Sequence, residues 1–187
     1  MKKEMGKLNA LYPLPTVVVG TLVDGKPNFI TIAHVGIVGM QHVCVSMNKA
    51  HYSNAGIKKN ETFSVNIPSV DQVKPTDYCG LVSGKNTDKS GEFSVVYGRL
   101  KTAPMIQECP VSMECRLVKT VDLASYENFM GEIVQTYCDD SILTEGKIDV
   151  GKLRPLLFVM HDGQYWSIGK PYAKAWSVGK KKGDNDG

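Results

Sequence analysis

The chain has 187 residues, of which 42% are hydrophobic and 22% are charged, and its formal net charge at pH 7 is +3. These values are typical of one globular domain that can bury a substantial core. The charge is too small to indicate a nucleic-acid partner, and part of it comes from the Lys180-Lys181-Lys182 run, which we interpret as a solvated tail.

The beginning of the chain is superficially similar to a signal peptide, because Lys2 and Lys3 precede a largely apolar stretch from Leu11 to Val23. Two prolines and a glycine interrupt this stretch, and it is too short to span a bilayer. The five cysteines include no C-x-x-C pair, so a reducing compartment is the simpler interpretation. We expect a cytoplasmic protein without a membrane partner.

A β-hairpin is predicted near the N-terminus. Residues Thr16 to Val23 are β-branched and apolar, and Asp24-Gly25 behind them is a strong hairpin turn signal. The second strand should therefore pair back from Pro27.

A third strand and a helix are predicted next. Residues Gln41 to Met47 form the strand, in which Cys44, like Cys115 further on, falls at an apolar position expected in the core. A helix should begin near Ser53 and end at residues 57–60, where lysines lie close to its C-terminus.

Small hydrogen-bonding residues surround the start of that helix. They are Ser46, Asn48, Lys49, Ser53 and Asn54. Such a set suits a phosphate, because the side chains donate hydrogen bonds, the lysine supplies charge and the helix N-terminus adds backbone N–H groups. A polar turn followed by a capped helix explains the same residues, so both interpretations stay open.

The middle of the chain predicts a strand at Thr62 to Ile67, a weakly helical stretch from Val70 to Val82, and a polar loop at residues 83–89. The loop glycine allows a ligand to approach the backbone, and Lys85 and Lys89 could meet an anion. Its spacing is not that of a Walker A motif, and no G-x-G-x-x-G occurs in the chain. A P-loop nucleotidase is excluded, and a dinucleotide-binding Rossmann domain is not expected.

The last third predicts four more strands. Val111 to Leu117 alternates as a half-buried strand, whereas Tyr126 to Tyr137 carries apolar residues on both faces. A barrel interior can cover one of those faces, so we expect a symmetric dimer to cover the other. Residues 153–159 and 164–168 are predicted as two late strands.

Many short strands, few helices and no internal repeat predict a mainly β fold, an antiparallel β-barrel with peripheral helices. We expect a single domain over residues 1–187, with flexible tails at about 1–11 and 180–187.

Several short stretches together resemble the flavin reductase-like, FMN-binding split β-barrel family, and within it the flavoredoxin-like proteins. They are Tyr12-Pro13, Val17-Val18-Val19-Gly20-Thr21, Gly25-Lys26-Pro27-Asn28, Thr31-Ile32-Ala33-His34, Asn66-Ile67-Pro68, Asp77-Tyr78-Cys79-Gly80, Ser83-Gly84-Lys85, Asp88-Lys89, Glu114-Cys115-Arg116, Gly131-Glu132 and Leu153-Arg154-Pro155-Leu156. Each piece is short, but their common order and spacing are hard to obtain by chance.

The resemblance implies an antiparallel split β-barrel that forms a homodimer and binds FMN near the dimer interface. It assigns Asn28, Thr31, Ala33 and His34 to the isoalloxazine ring, Ser46, Asn48, Lys49 and Asn54 to the ribityl phosphate, and Ser83, Gly84, Lys85 and Lys89 to a closing loop.

The function that follows is an FMN-dependent oxidoreductase that accepts hydride from NADH or NADPH, or electrons from a small-molecule or protein redox partner. Two other hypotheses stay open. One is a non-catalytic, flavodoxin-like electron carrier, and the other is a split-barrel module that binds a different ligand without flavin.

No side chain is expected to act as a nucleophile or as an essential acid or base, because the flavin itself accepts the hydride. His34 is equally compatible with a ligand contact and with a packing role. A metal site made by His42, Cys44 and His51 is not expected, because their spacing matches no closed ligand set.

Overall fold

The computed structural model describes residues 1–180, and this part of the chain contains 14 strands and three α-helices. The strands are β1 (Leu14–Pro15), β2 (Val17–Val23), β3 (Lys26–Ile32), β4 (Val35–Gly39), β5 (His42–Asn48), β6 (Thr62–Ile67), β7 (Val95–Val96), β8 (Met105–Ile106), β9 (Val111–Leu123), β10 (Tyr126–Cys138), β11 (Leu143–Thr144), β12 (Lys147–Ile148), β13 (Leu156–Val159) and β14 (Gln164–Ser167). The helices are α1 (Ser53–Asn60), α2 (Val73–Leu81) and α3 (Val150–Leu153). Residues 181–187 of the expected C-terminal tail lie outside the described range.

A seven-stranded antiparallel sheet dominates the molecule, in the order β3-β2-β6-β9-β10-β5-β4. Val17 on β2 and Val45 on β5 belong to one buried cluster, although their strands lie towards opposite ends of that order. The sheet therefore wraps around a common core, and the predicted mainly β, split-barrel fold is confirmed. A three-stranded sheet, β1-β13-β14, and two short hairpins complete the architecture.

The predicted N-terminal hairpin and the predicted helix are both present. Strands β2 and β3 pair from Val23↔Lys26 onwards around the Asp24-Gly25 turn. Helix α1 packs closely on β2, because a Cβ built on Gly56 would lie 2.4 Å from the Leu22 carbonyl oxygen. Only glycine permits this approach, which holds the N-terminus of α1 against the strand ends.

The sequence did not reveal a break after Ile32. The chain from Asn28 to Gly39 is not one continuous strand but belongs to β3 and β4, with Ala33 and His34 in the connection. Because β4 pairs back on β5, this connection lies beside the end of β5.

Cys44 is not the core residue that its apolar position predicted. Along β5, Val43, Val45 and Met47 are buried, while Cys44 and Ser46 lie half-buried on the opposite face. Cys115 is fully buried in the core, as predicted.

The predicted late strands are partly confirmed. Leu153 ends helix α3 instead of beginning a strand, and Arg154 adopts a left-handed conformation before β13 starts at Leu156. Pro75 lies in the first turn of α2, where its missing N–H breaks no helical hydrogen bond. No helix in residues 1–180 is long and apolar enough to cross a membrane.

Candidate functional site

The connection between β3 and β4 meets the end of β5 and forms one wall of a cavity. The backbone N–H of Ser46 donates to the His34 carbonyl oxygen at 2.8 Å, which fixes the two segments side by side. Tyr126 lies opposite Asn48 in the β10–β5 register and closes the other side. The cavity has a volume of about 390 Å³ and is lined by Thr31, Ile32, Ala33, His34, Ser46, Asn48, Ala50, His51 and Tyr126.

Two histidines that line this cavity each have a ring nitrogen without a hydrogen-bond partner among residues 1–180. These nitrogens are Nε2 of His34 and Nδ1 of His51, and both atoms are buried. A buried polar atom without a partner is costly unless a ligand or water satisfies it. This pair of nitrogens therefore points to a polar ligand in the cavity.

Aromatic and hydroxyl groups complete the wall. The rings of His34 and Tyr126 lie 5.8 Å apart between centroids and are tilted by 49°. The Thr31 hydroxyl donates to the Thr76 carbonyl oxygen, and this hydrogen bond orients Thr31 towards helix α2. A flat, partly polar ligand can lie against such a surface.

A second cavity of about 190 Å³ adjoins the first and shares Ala50 and His51 with it. It is also lined by Ile30, Tyr52, Ser53, Cys79, Gly80, Leu81, Val82, Ser83, Gly84 and Lys89. Ser53 begins helix α1, and its Oγ accepts a hydrogen bond of 2.6 Å from Nδ2 of Asn28. The serine hydroxyl proton is left to donate elsewhere.

Lys89 is a buried cation at this second cavity. It is 3% exposed, and its Nζ donates to the carbonyl oxygens of Cys79 at 3.1 Å and Val82 at 3.0 Å. An ammonium group has three donors, so one remains for a ligand. Burial lowers the pKa of Lys89, while the neighbouring Cys79 acts in the opposite direction.

The electrostatics around the start of α1 are positive. Burial lowers the pKa of His51, and the charge of Lys89 lowers it further. The first turn of α1 contains no acidic residue, so its N–H groups add positive potential. An anion is favoured here over a cation.

Asn54 serves the fold in this structure. Its Nδ2 donates to Oε2 of Glu127 at 2.7 Å and to the Asn48 carbonyl oxygen at 3.0 Å, and it lines none of the cavities described for this site. Glu127 also accepts from Nζ of Lys58 at 2.8 Å. Burial acts to raise the pKa of Glu127, but the bonds from Lys58 and Asn54 outweigh it and lower the pKa. This network holds α1 against β10.

Lys49 lines neither of the two cavities, and its Nζ pairs with Oδ2 of Asp122 at 3.6 Å. Its side chain is 45% exposed, so the ion pair is weak and leaves the lysine able to reorient.

The polar loop at residues 83–89 lies against the β3 strand. A Cβ built on Gly84 would lie 1.9 Å from Oδ1 of Asn28, so only glycine fits there. Ser83 and Gly84 line the second cavity, whereas Lys85 is exposed and lines a different one, on the far side of the loop.

The twelve residues assigned by the resemblance thus fall into four groups. The first cavity collects Thr31, Ala33, His34, Ser46 and Asn48, and the second collects Ser83, Gly84 and Lys89. The third group is Asn28 and Lys85, which line another cavity on the other side of the loop, and Asn28 also hydrogen-bonds to Ser53 of the second cavity. The fourth group is Lys49 and Asn54, which line neither the first nor the second cavity.

His51, Tyr52 and Tyr126 line these cavities but were not among the residues assigned from the sequence. His51 lies in the polar segment that precedes α1, which was a usable signal. Tyr126 reaches the site only through the β10–β5 register, which no local pattern specifies. In residues 1–180, no group of three or more His, Cys, Asp or Glu side chains could hold a metal ion.

The fold and the site define a split β-barrel protein with a partly polar cavity at its strand ends. Residues 8–168 match the model of the flavin reductase-like domain. The chain belongs to the flavin reductase-like domain family.

Two solved structures are similar over nearly the whole chain. A flavoredoxin from Methanosarcina acetivorans is 43% identical with a TM-score of 0.94, and the match covers 96% of this chain and 98% of that one. The flavoredoxin of Desulfovibrio vulgaris (Miyazaki F) is 34% identical with a TM-score of 0.90, over 96% of this chain and 100% of that one. An uncharacterized protein of Archaeoglobus fulgidus is 31% identical over 82% of this chain and 86% of its own length.

Proposed function

We propose that this protein binds FMN in the two adjoining cavities and transfers electrons through it. The family and the two flavoredoxin neighbours support a flavin-dependent redox function. The observation that carries the proposal is the pair of buried, unpartnered nitrogens, His34 Nε2 and His51 Nδ1, in the wall of the first cavity. The rim of a flavin ring offers carbonyl and N–H groups that match them.

In this proposal the first cavity holds the isoalloxazine ring, which supplies the redox chemistry when it is bound. His34 and His51 form hydrogen bonds to the ring and orient it. Tyr126 and the segment from Thr31 to Ala33 limit the space in which the ring lies. Ser46 and Asn48 lie along the same wall and suit the ribityl hydroxyls.

The phosphate belongs, in the same proposal, at the start of helix α1. Ser53 offers its hydroxyl proton, Lys89 offers its third ammonium donor, and the first N–H groups of α1 add their dipole. Ser83 and Gly84 cover this end. Asn28 and Asn54 position Ser53 and α1, and Lys49 contributes long-range charge.

The electron source has two candidates. One is hydride from NADH or NADPH, which would make the protein a reductase. The other is a protein partner, which would make it an electron carrier, and the name flavoredoxin given to both similar structures favours this second candidate.

The test begins with the purified protein, which we expect to show a flavin absorption spectrum and to release FMN on denaturation. Apoprotein that binds neither FMN nor FAD in a fluorescence titration would refute the proposal. Anaerobic mixing with NADH or NADPH then separates the candidates, since a reductase bleaches the flavin band within seconds and a carrier needs a protein or chemical donor.

We also propose that the protein is a homodimer. Met130 and Val134 on the outer face of β10 are half-buried in one copy. Strongly exposed apolar side chains lie on the edge strand β4 and in the turn after it. Ile37 is 84% exposed and Met40 is 100% exposed. An apolar edge of this kind is typically covered in the functional assembly.

Light scattering at micromolar concentration should give the mass of two chains. Ile37→Lys together with Met40→Lys should shift it towards one chain, whereas Ile148→Lys on β12 should not. A wild-type monomer would contradict the proposal.

A further inference from the structure

A short arm, residues 169–180, follows the last strand of the described chain. It begins after the end of β14 at Ser167, and all of its residues are exposed. Tyr172 is 103% exposed and Trp176 is 95% exposed, so neither aromatic side chain packs on the body of its own chain. Large aromatic side chains normally bury much of their surface in a core or an interface. The arm therefore presents an apolar surface that one copy leaves uncovered.

The backbone of the arm is folded into a turn around Trp176. The N–H of Val178 donates to the Lys174 carbonyl oxygen at 3.2 Å, and Trp176 has a φ of 54°. A bulky residue rarely adopts this left-handed conformation, which is strained and persists where the surrounding structure holds it. The exposed Trp176 has no such surroundings within residues 1–180 of its own copy. The turn therefore indicates a contact with another molecule.

The same chain has a second uncovered apolar surface, on the edge strand β4 and the turn after it. It consists of Ile37, Val38 and Met40, which are exposed, and we call it the β4 surface. Strand β4 stands at the end of the sheet order, so one of its edges has no strand partner within the described residues. Exposed apolar edge strands are typically covered in the functional assembly. The arm and the β4 surface are thus two surfaces of one chain that both need a cover.

The charges near these two surfaces are complementary. The ammonium groups of Lys170 and Lys174 on the arm have no hydrogen-bond or ion-pair partner in the part of the chain that the structure describes. Glu132 lies opposite His42, the residue that starts β5 after the β4–β5 turn. The Glu132 side chain is 43% exposed, and its ion pair with Arg116 is long, at 3.9 Å. Glu132 can therefore attract a lysine of an arm that lies on the β4 surface.

We propose that the arm of each copy packs on the β4 surface of the other copy, so that two exchanged arms hold the homodimer together. A two-fold axis makes the two contacts identical and covers the apolar surfaces of both copies at once. This inference rests on the homodimer proposed above and names the segment that covers its edge.

The arm is long enough for this exchange. Trp176 lies nine residues beyond Ser167, and a chain of that length spans at most about 30 Å, which is enough to cross to a neighbouring copy. Strand β4 begins directly after Ala33 and His34, which line the 390 Å³ cavity. The arm of one copy therefore lies next to the ligand cavity of the other.

Light scattering over a dilution series tests the contribution of the arm. Tyr172→Ser together with Trp176→Ser should raise the dissociation constant of the dimer at least about tenfold, because aromatic anchors dominate the energetics of interfaces. Neither side chain packs on its own copy, so a loss of dimer cannot come from unfolding of the subunit. Ile148→Ser removes another exposed apolar side chain, on β12, and should leave the dissociation constant unchanged.

Cross-linking tests where the arm lies. The exposed native cysteine is first removed by Cys138→Ser, and Trp176→Cys and Met40→Cys are then made in separate chains, mixed and treated with a short bis-maleimide. The exchange predicts much more two-chain product in the mixture than in either variant alone. Ile148→Cys in place of Met40→Cys is the matched control and should give only the background amount.

The arm exchange is overturned if the dimer survives the two arm substitutions, or if the mixture gives no more two-chain product than the Ile148→Cys control. Either result would leave the homodimer itself standing, whereas a wild-type monomer would refute both proposals. Titration of FMN into the wild type is a separate measurement, so a failed flavin site and a failed arm exchange are distinguished.

Discussion

Two polar clusters in this molecule differ in how their hydrogen-bonding capacity is used. Glu114 is fully buried, and its carboxylate accepts from the backbone N–H groups of Arg99 at 2.9 Å and Leu100 at 2.8 Å and from the Tyr137 hydroxyl at 3.0 Å. In the candidate site, by contrast, ring nitrogens of His34 and His51 are buried without a partner.

This difference in hydrogen bonding distinguishes the Glu114 cluster, which stabilises the fold, from the candidate site, which is available to a ligand. A buried carboxylate with three donors is complete, and it anchors the chain around residues 99–100 to β9. A buried nitrogen without a partner costs the apoprotein free energy and gains its hydrogen bond only from a ligand. Within the described residues 1–180, four other buried polar atoms also lack partners, but the residues that carry them, Thr16, Thr21, Asn54 and Thr76, do not line the 390 Å³ cavity.

The largest expected effect comes from breaking the complete cluster. Glu114→Ala leaves two backbone N–H groups without acceptors and should lower the free energy of unfolding by about 3 kcal/mol. Tyr137→Phe removes one donor and should cost about 1 kcal/mol. Urea denaturation measures both, and equal losses in the two variants would contradict the assignment of Glu114 as the anchor.

The opposite pattern is expected at His34. His34→Leu should weaken FMN binding about fivefold, or about 1 kcal/mol, because one hydrogen bond to the ligand is lost. The free energy of unfolding of the apoprotein should not fall by more than about 0.5 kcal/mol, since the buried nitrogen that is removed had no partner. His42→Leu, on the outer face of β5, is the matched control. A destabilised apoprotein with unchanged FMN affinity would assign His34 to packing.

Turnover separates the histidines further. His42→Gln and His161→Gln should cause only a modest loss of flavin reduction when FMN is saturating, because neither residue lines the 390 Å³ cavity. His51 does line it, so His51→Gln belongs with His34→Gln among the variants expected to change the rate or the flavin potential. Stopped-flow reduction of each variant makes the comparison, and a loss of several orders of magnitude at His42 or His161 would reveal an acid or base outside the site.

A pH series tests His51 without ligand. Burial and then Lys89 lower its pKa in the folded protein below the ordinary 6.5, so below that pH the unfolded chain binds a proton that the folded chain does not. The stability contribution is present above about pH 6.5 and is lost as the pH falls below it. The urea midpoint should therefore fall more steeply between pH 7 and 5.5 in the wild type than in His51→Gln, and parallel curves would contradict this.

The smallest effect is expected at Lys49. Its ammonium is exposed and paired with Asp122, so Lys49→Ala should weaken FMN binding only about twofold at low salt and less at 0.5 M salt. Lys89→Met should weaken it more, because Lys89 is buried at the proposed phosphate. If Lys49→Ala weakened FMN binding as much as Lys89→Met or more, the phosphate would have to lie near Lys49 instead of Lys89.

Much of the fold could be predicted from local pattern. The β2–β3 hairpin follows from β-branched residues around Asp24-Gly25, and α1 follows from the polar residues before Ser53 and the lysines at its end, because turns and caps depend on nearby residues. Strands β6 and β10 were also predicted to within one residue of their ends, whereas β9 continues to Leu123, beyond the predicted end at Leu117. The short strands β7, β8, β11 and β12 were missed, because two residues carry no periodicity.

The sequence identified many individual residues of the site but not the way in which the fold arranges them. The resemblance assigned Ser46, Asn48 and His34, and the structure does bring these three together, because β4 turns back onto β5 after a break that the apolar run concealed. It could not distinguish the exposed Lys49 from the buried Lys89, since both are lysines in polar segments.

By itself, the sequence determined the mainly antiparallel β class, the family and the polar character of the segments around His34 and Ser53, because these depend on residue type and order along the chain. Only the tertiary structure decided which polar groups are already satisfied. The amide nitrogen of Asn54 is engaged by Glu127 and Asn48, whereas His51 has a buried ring nitrogen without a partner, and both outcomes depend on strand register and on the packing of α1 against β10. Hydrogen-bond partners that are 73 residues apart, such as Asn54 and Glu127, leave no local pattern to read.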